Sequence, residues 1–150
     1  MRPNYSSETG RPSHLFMPPQ YRKWRDTVSL WFEDWLFDTD YALLKECLYL
    51  KDGRNIRDQK TGSFRPEFYG YEFKAMFVLN PSKNGRPFPI AQRSSDIDNY
   101  AKAVVDMIFE SQSFKNAKLN DKYIQSMILL KRCAREGENP RIDVELTQID

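Results

Sequence analysis

Histidine and cysteine are nearly absent. His14 is the one histidine, and Cys47 and Cys133 are the two cysteines in 150 residues. The cysteines sit far apart and in no CxxC spacing, so the ligand count excludes a zinc cage. The same shortage argues against a histidine-based catalytic triad. Both thiols are expected to be plain buried or semi-buried groups. No run approaches the ~18 consecutive apolar residues of a membrane span. The start, Met1-Arg2-Pro3-Asn4-Tyr5, lacks the apolar stretch of a signal peptide. A soluble, cytoplasmic protein with no membrane partner is expected. No internal repeat and no low-complexity tract interrupts the chain.

What is present is a folding composition: 40% hydrophobic, 14% aromatic and 29% charged residues. A chain of this length suits one domain over 1–150, burying roughly 70% of the surface the unfolded chain exposes. The net charge of +2 decides nothing alone, but its distribution does. Asn80 to Ser95 carries Lys83, Arg86 and Arg93 and no acid. Gln20 to Arg25 carries Arg22, Lys23 and Arg25 around Tyr21 and Trp24. Glu33, Asp34, Asp38 and Asp40 make an acidic patch. Basic segments with interleaved aromatics suit a nucleic-acid partner. Solvated charge over a core of aromatics accounts for the same pattern.

Pro3, Gly10 and Pro12 mark residues 1–17 as an arm or loop. Pro18-Pro19 then opens a helix, where a missing N–H costs nothing. Tyr21, Trp24, Val28, Trp31, Phe32, Trp35 and Leu36 form an apolar stripe expected in the core, on a helix reaching about Phe37. Tyr41 to Leu50 fits a short helix or a strand equally. Asp52-Gly53 and Thr61-Gly62 read as turns, and 51–66 as a mobile insertion. Tyr71–Leu79 is predicted as a strand and Asn80–Ala91 as a loop. Asp98 to about Ser111 is predicted as a second helix burying Ala101, Val104, Val105 and Ile108. Tyr123–Lys131 and Ile142–Leu146 are predicted as strands, paired as an antiparallel hairpin across the turn Glu136–Pro140.

Chemistry concentrates in Ser95-Asp96-Ile97-Asp98-Asn99-Tyr100-Ala101-Lys102, continuing to Asp106. Asp96 and Asp98 stand two apart at a loop-to-helix junction, and an extended pair at that spacing points both side chains one way. Converging carboxylates repel unless a cation sits between them, and hard oxygen ligands suit Mg²⁺ or Mn²⁺. The alternative is an Asp98 N-cap with Asp96 on the surface. Lys102 and Asp106 continue the stripe at i+4 and i+8, which a ladder of ion pairs also explains. Asp121 opens the next strand. Were that strand to lie beside Tyr71–Leu79, Asp121 would near Asp96 and Asp98, giving three acids and a lysine on one rim. That set suits metal-assisted phosphodiester hydrolysis.

The run Asp96-x-Asp98-Asn99-x-x-Lys102-x-x-x-Asp106, with Asp121 about fifteen residues on, resembles the RusA family of Holliday-junction resolvases. The likeness covers residues 71–148 best and reaches more weakly to Pro18–Trp24. It implies a small dimeric, Mg²⁺-dependent endonuclease of bacterial or phage origin, with Mn²⁺ able to substitute and no organic cofactor. It assigns Asp96, Asp98 and Asp121 to the metal, Lys102 to catalysis, and Asn99 and Asp106 to the secondary motif. The implied reaction is paired, symmetric nicking of a four-way DNA junction.

The chain departs from the family in four ways, one being residues 40–70, which look longer than the typical family connection. Asn120-Asp121 replaces a pair of adjacent acids. Only Arg93, before Ser94-Ser95, stands where several arginines are usual. The family's first strand precedes the proline-rich segment, and this sequence starts at about the point where that strand would end, so either the strand is absent or the true start lies upstream. The expected fold is α+β: a single domain with two main helices packed on a mixed sheet. Lys83, Arg86, Arg93 and Lys131 are the candidate phosphate contacts, although Lys131 and Arg132 also suit plain solubilising charge. Two other functions compete: a metal-dependent nuclease for other branched DNA, and a non-catalytic DNA-binding protein on the same fold.

Overall fold

The computed structural model describes residues 3–5, 12–15, 19–90 and 96–150. Ten short elements follow one another: β1 Pro3–Tyr5, β2 Pro12–Leu15, α1 Pro19–Asp38, α2 Ala42–Leu48, β3 Tyr71–Leu79, α3 Ile97–Phe109, α4 Gln112–Asn116, a 3-10 turn Asp121–Tyr123, β4 Ile124–Cys133 and β5 Arg141–Gln148. They build a small single α+β domain whose main sheet is mixed. β3 lies in its centre, parallel to β4 and antiparallel to β5.

The sequence of β3 explains its place. Tyr71, Phe73, Ala75 and Phe77 alternate along one face and are all buried, so that face is the floor of the core. Parallel β3 and β4 need a crossover, and α3 supplies it. Its apolar positions Ala101, Val104, Val105 and Ile108 recur at helical spacing and are buried against the sheet. Ring contacts fix its direction. Tyr100, in the first turn of α3, stacks at 5.4 Å on Phe77 near the end of β3, while Phe109, at the helix end, lies 6.2 Å from Tyr71 at the strand start. The helix therefore runs antiparallel to β3. Its N-terminus sits at the carboxyl end of the central strand.

The strands at β4 and β5 form where expected but do not pair with each other. The hairpin reading is corrected: β3 separates them. Ala134 donates its N–H to the Leu79 carbonyl at 2.8 Å, carrying the chain across the end of β3. Glu138 then accepts two hydrogen bonds from Arg132 at 2.6 Å each and one from Arg141 at 2.8 Å, which folds the connection over. The Arg132 guanidinium, the Arg135 backbone N–H and the Arg141 guanidinium hold the Glu138 carboxyl well below the usual carboxylate range.

Three further expectations change. Residues 1–17 are not all irregular, since β1 and β2 pair antiparallel, with Pro3 opposite Leu15. The segment 51–66 is not a loose insertion. Ile56 is wholly buried, and Arg57 donates to the Lys118 carbonyl at 2.8 Å and to the Tyr123 hydroxyl at 3.1 Å. Isolated bridges Tyr49–Asn55 and Arg57–Phe64 fold it back on itself. The α1 stripe is wider than the core beneath it. Phe32 and Leu36 are buried, but Trp31 is 59% exposed and Trp35 37%; the two indoles stack on each other at 6.4 Å. The side chain of Tyr21 lies outside the described residues. Tyr41–Leu50 resolves as the helix α2, after Asp40 and Tyr41 reverse the chain at φ 54° and 55°. Among the described residues, no helix is long and apolar enough to cross a membrane.

Candidate acidic and basic end of the sheet

The carboxyl end of β3 gathers most of the residues singled out above. Asp96 is the N-cap of α3, with extended backbone at φ −64°, ψ 148°; its carbonyl accepts from the N–H groups of Asn99 at 3.1 Å and Tyr100 at 3.3 Å. Its carboxylate makes no capping hydrogen bond. Asp98 lies inside the first turn. This corrects two expectations: the cap is Asp96 and not Asp98, and extended alternation does not aim the two side chains. Both acids gain instead from the partial positive charge at a helix N-terminus. Both are exposed, as is Asn99 beside them.

Lys102 lies one turn further. Its ammonium is 3.6 Å from Asp106, an i,i+4 ion pair in which the lysine is 64% exposed and the acid 16%. The ladder reading thus holds for Lys102 and Asp106, whereas no ion pair joins Lys102 to Asp98 among the described residues. With the lysine this exposed and the separation 3.6 Å, the pair holds the ammonium only weakly, so it can turn to another anion at small cost.

The basic loop leaves β3 at this same end. Lys83 and Arg86 are exposed there. Cys133, the last residue of β4, donates its N–H to the Pro87 carbonyl at 2.8 Å and ties the loop to the sheet. Lys131 stands in register with Phe77, also near the end of the strands. Arg93 lies outside the described residues. Phe88 and Ile90, 54% and 74% exposed, project from the loop beside Arg86. Sequence reading passed over them, although Pro87-Phe88-Pro89 on a basic loop signals an aromatic held away from the core.

Asp121 does not join this group. It opens the 3-10 turn before β4, capped by Asn120, whose side chain accepts from the Lys122 N–H at 2.9 Å. The strand does lie beside β3, but parallel to it, with Ile124 opposite Tyr71. Asp121 is therefore at the amino end of β3. The length of α3, about 20 Å at ~1.5 Å per residue, separates that end from Asp96 and Asp98. The expected rim of three acids is not formed within one chain. Among the described residues, no group of three or more His, Cys, Asp and Glu side chains is arranged to hold a metal ion. Two carboxylates remain at the helix start, a donor set that fits Mg²⁺, which keeps several waters and takes one or two carboxylates with substrate phosphates.

Other charges are committed elsewhere. Arg132 serves Glu138, and Glu33 accepts from the N–H and hydroxyl of Ser113 at 3.1 and 2.7 Å, holding α4 to α1. Cys47 and Cys133 are buried and free. No family model, no curated protein and no solved structure matches this chain.

Proposed function

We propose that the chain is a metal-dependent, structure-selective endodeoxyribonuclease. It resolves four-way DNA junctions by paired symmetric nicking, as a homodimer, in recombination, repair or phage DNA processing. One observation carries the reading: Asp96, Asp98 and Lys102 share the carboxyl end of β3 with the exposed cations Lys83 and Arg86. The motif residues Asn99 and Asp106 stand on the same helix.

Lys83 and Arg86 hold phosphates, making binding salt-dependent and largely indifferent to sequence. Asp96 and Asp98, whose carboxylates make no hydrogen bond or ion pair among the described residues, hold Mg²⁺ or Mn²⁺. The bound ion supplies a more acidic water and a polarised phosphoryl oxygen. Lys102 neutralises charge developing on the phosphoryl group, leaving Asp106 to do so. Asp121 can serve the same site only from a second copy of the chain. Paired cuts on opposed strands suit such a twofold arrangement.

A second reading, DNA binding without cutting, draws on the separation of Asp121 from the other acids. A cleavage assay decides between them, run on a mobile four-way junction beside a linear duplex and a single-branch fork, in Mg²⁺ and in EDTA. Symmetric nicks on the junction alone, only with metal, are expected. Asp98→Asn should abolish cutting while leaving junction binding equal or tighter, since it removes negative charge from the DNA site. Wild-type cutting by that variant would remove Asp98 from the mechanism. Cutting of fork or duplex at equal rates points to a nuclease for other branched DNA. Tight binding with no cutting in either metal leaves the non-catalytic reading.

A further inference from the structure

A cavity of about 600 Å³ lies at the carboxyl end of the sheet, between the basic loop and the chain that leaves β4. One wall runs from Pro81 to Phe88, the other from Arg132 to Glu138. Two backbone hydrogen bonds hold the walls together. Cys133 donates to the Pro87 carbonyl and Ala134 to the Leu79 carbonyl, each at 2.8 Å. Pro81, Pro87 and Pro89 stiffen the loop further, because each fixes its own φ. The cavity is thus formed before any ligand arrives, and its size is that of ordinary small-molecule sites.

The lining combines an uncovered ring with uncommitted cations. Phe88 lines the cavity, is 54% exposed, and pairs with no other ring among the described residues. The fold leaves bare a side chain whose burial would stabilise it. Arg86 and Arg135 line the same cavity, are exposed, and make no side-chain ion pair among the described residues. Arg132 and Glu138 face it too but are joined to each other at 2.6 Å, which leaves Glu136 as the lining acid without an ion pair. Two free guanidinium groups therefore outweigh one free carboxylate.

An aromatic ring between cations suits a ligand with a flat face and an anionic backbone. A nucleotide has both: its base stacks on the ring, and its phosphates meet the guanidinium groups. A base inside a duplex is covered on both faces by its neighbours and has no face to offer. A base at a branch point, gap or strand end has one.

We propose that this cavity is a pocket for one unpaired DNA nucleotide, with Phe88 stacking on the base and Arg86 and Arg135 holding the flanking phosphates. The identity of the ligand rests on the DNA-cleaving reading, which the pocket deepens. It lies on the end of the sheet that carries Asp96 and Asp98. Capture of an unpaired base there distinguishes branched DNA from linear duplex.

Binding measured in EDTA tests the pocket without cutting. The probes are a short end-labelled oligothymidine and an abasic strand of the same length and charge, followed by fluorescence anisotropy. Wild type is expected to hold the oligothymidine about tenfold more tightly, as stacking of one base implies. Phe88→Ala should remove that preference with an unchanged circular dichroism spectrum and melting, since the ring is half exposed, and Phe88→Trp should keep it. Arg135→Gln should weaken both strands alike and reduce the slope of log Kd against log salt by about 0.7. Trp31→Ala, at the exposed aromatic on α1, should change nothing. No binding of either strand, equal affinity for the two, a preference that survives Phe88→Ala or is lost only in Trp31→Ala, or an unchanged salt slope in Arg135→Gln would each overturn the proposal. The two readings fail separately. A Phe88-dependent base preference in a protein that cuts no DNA keeps the pocket and removes the nuclease. Junction cutting without that preference does the reverse.

Discussion

The two cysteines show how burial settles a residue's chemistry. Cys47 is 1% exposed on α2, and its carbonyl accepts the Tyr71 hydroxyl at 2.7 Å. Burial, with Glu46 adding to it, pushes the Cys47 thiol from the ordinary 9.0 up to about 12. A thiol so raised is a poor nucleophile and metal ligand near neutral pH. The sign for stability follows from which state ionises first. The unfolded thiol loses its proton near 9 while the folded one keeps it, so the native state holds more protons between the two values. Its contribution is complete below pH 9 and declines as pH rises toward 12. Tyr71, buried beside it, is raised as well and acts in the same direction. Urea unfolding should therefore give a steady midpoint from pH 7 to 8 and a falling one above 9. Cys47→Ala should flatten part of that fall. An equal pH dependence in the variant would assign the effect to Tyr71 and other groups.

Among elements, the 51–66 segment was the least legible. Its composition is polar, with Gly53 and Gly62 in turns at φ +85° and +71°, and nothing in its periodicity announces a strap. What fastens it is one arginine reaching sixty residues along the chain. Arg57 lies over the Phe64 ring at 4.5 Å and donates to the Lys118 carbonyl and the Tyr123 hydroxyl, while its buried Nε finds no partner. Cation–π contact and hydrogen bonds thus tie the segment to the turn that carries Asp121. Arg57→Met keeps the stem but loses both hydrogen bonds, and should cost about 2 kcal/mol in urea unfolding. A change within experimental error would mean the strap is held by Ile56 and the aromatic cluster alone.

The regular elements were far more legible, for the same physical reason. β3 and α3 each carry an apolar period that burial then satisfies, and β4 and β5 carry apolar runs of strand length that burial satisfies only in part, so the existence and rough bounds of all four follow from the residues. The order of strands does not. It depends on Ala134 reaching Leu79 and on Glu138 gathering two arginines, long-range contacts without a local signature. The tryptophans mislead for a related reason: spacing says which side of α1 is apolar, not how much sheet lies under it. At the candidate site the acids and the lysine are visible as a motif, and the neighbouring cations as composition. The distance to Asp121 turns on strand direction, which no local pattern encodes.

At the scale of the whole molecule, that distance becomes a testable property of the assembly. If Asp121 serves only from a second copy, each site of a dimer combines Asp98 of one chain with the partner's Asp121. Asp98→Asn and Asp121→Asn dimers are then both inactive, because every site lacks one acid. In a dimer mixed from the two, one site receives both substitutions and the other receives neither. Random exchange makes about half the dimers mixed, each with one intact site, so nicking should return to about a quarter of the wild-type rate. The returned activity should consist of single nicks, because the second site of the same dimer is dead and paired cuts need both. Unfolding and refolding the two variants together, then following a junction labelled on both candidate strands, reads rate and pairing at once. No recovery in the mixture would mean that the two acids act from one chain after all, or that Asp121 and Asp98 do not share a site. Recovery of paired cuts would be inconsistent with two sites per dimer built in this crossed way.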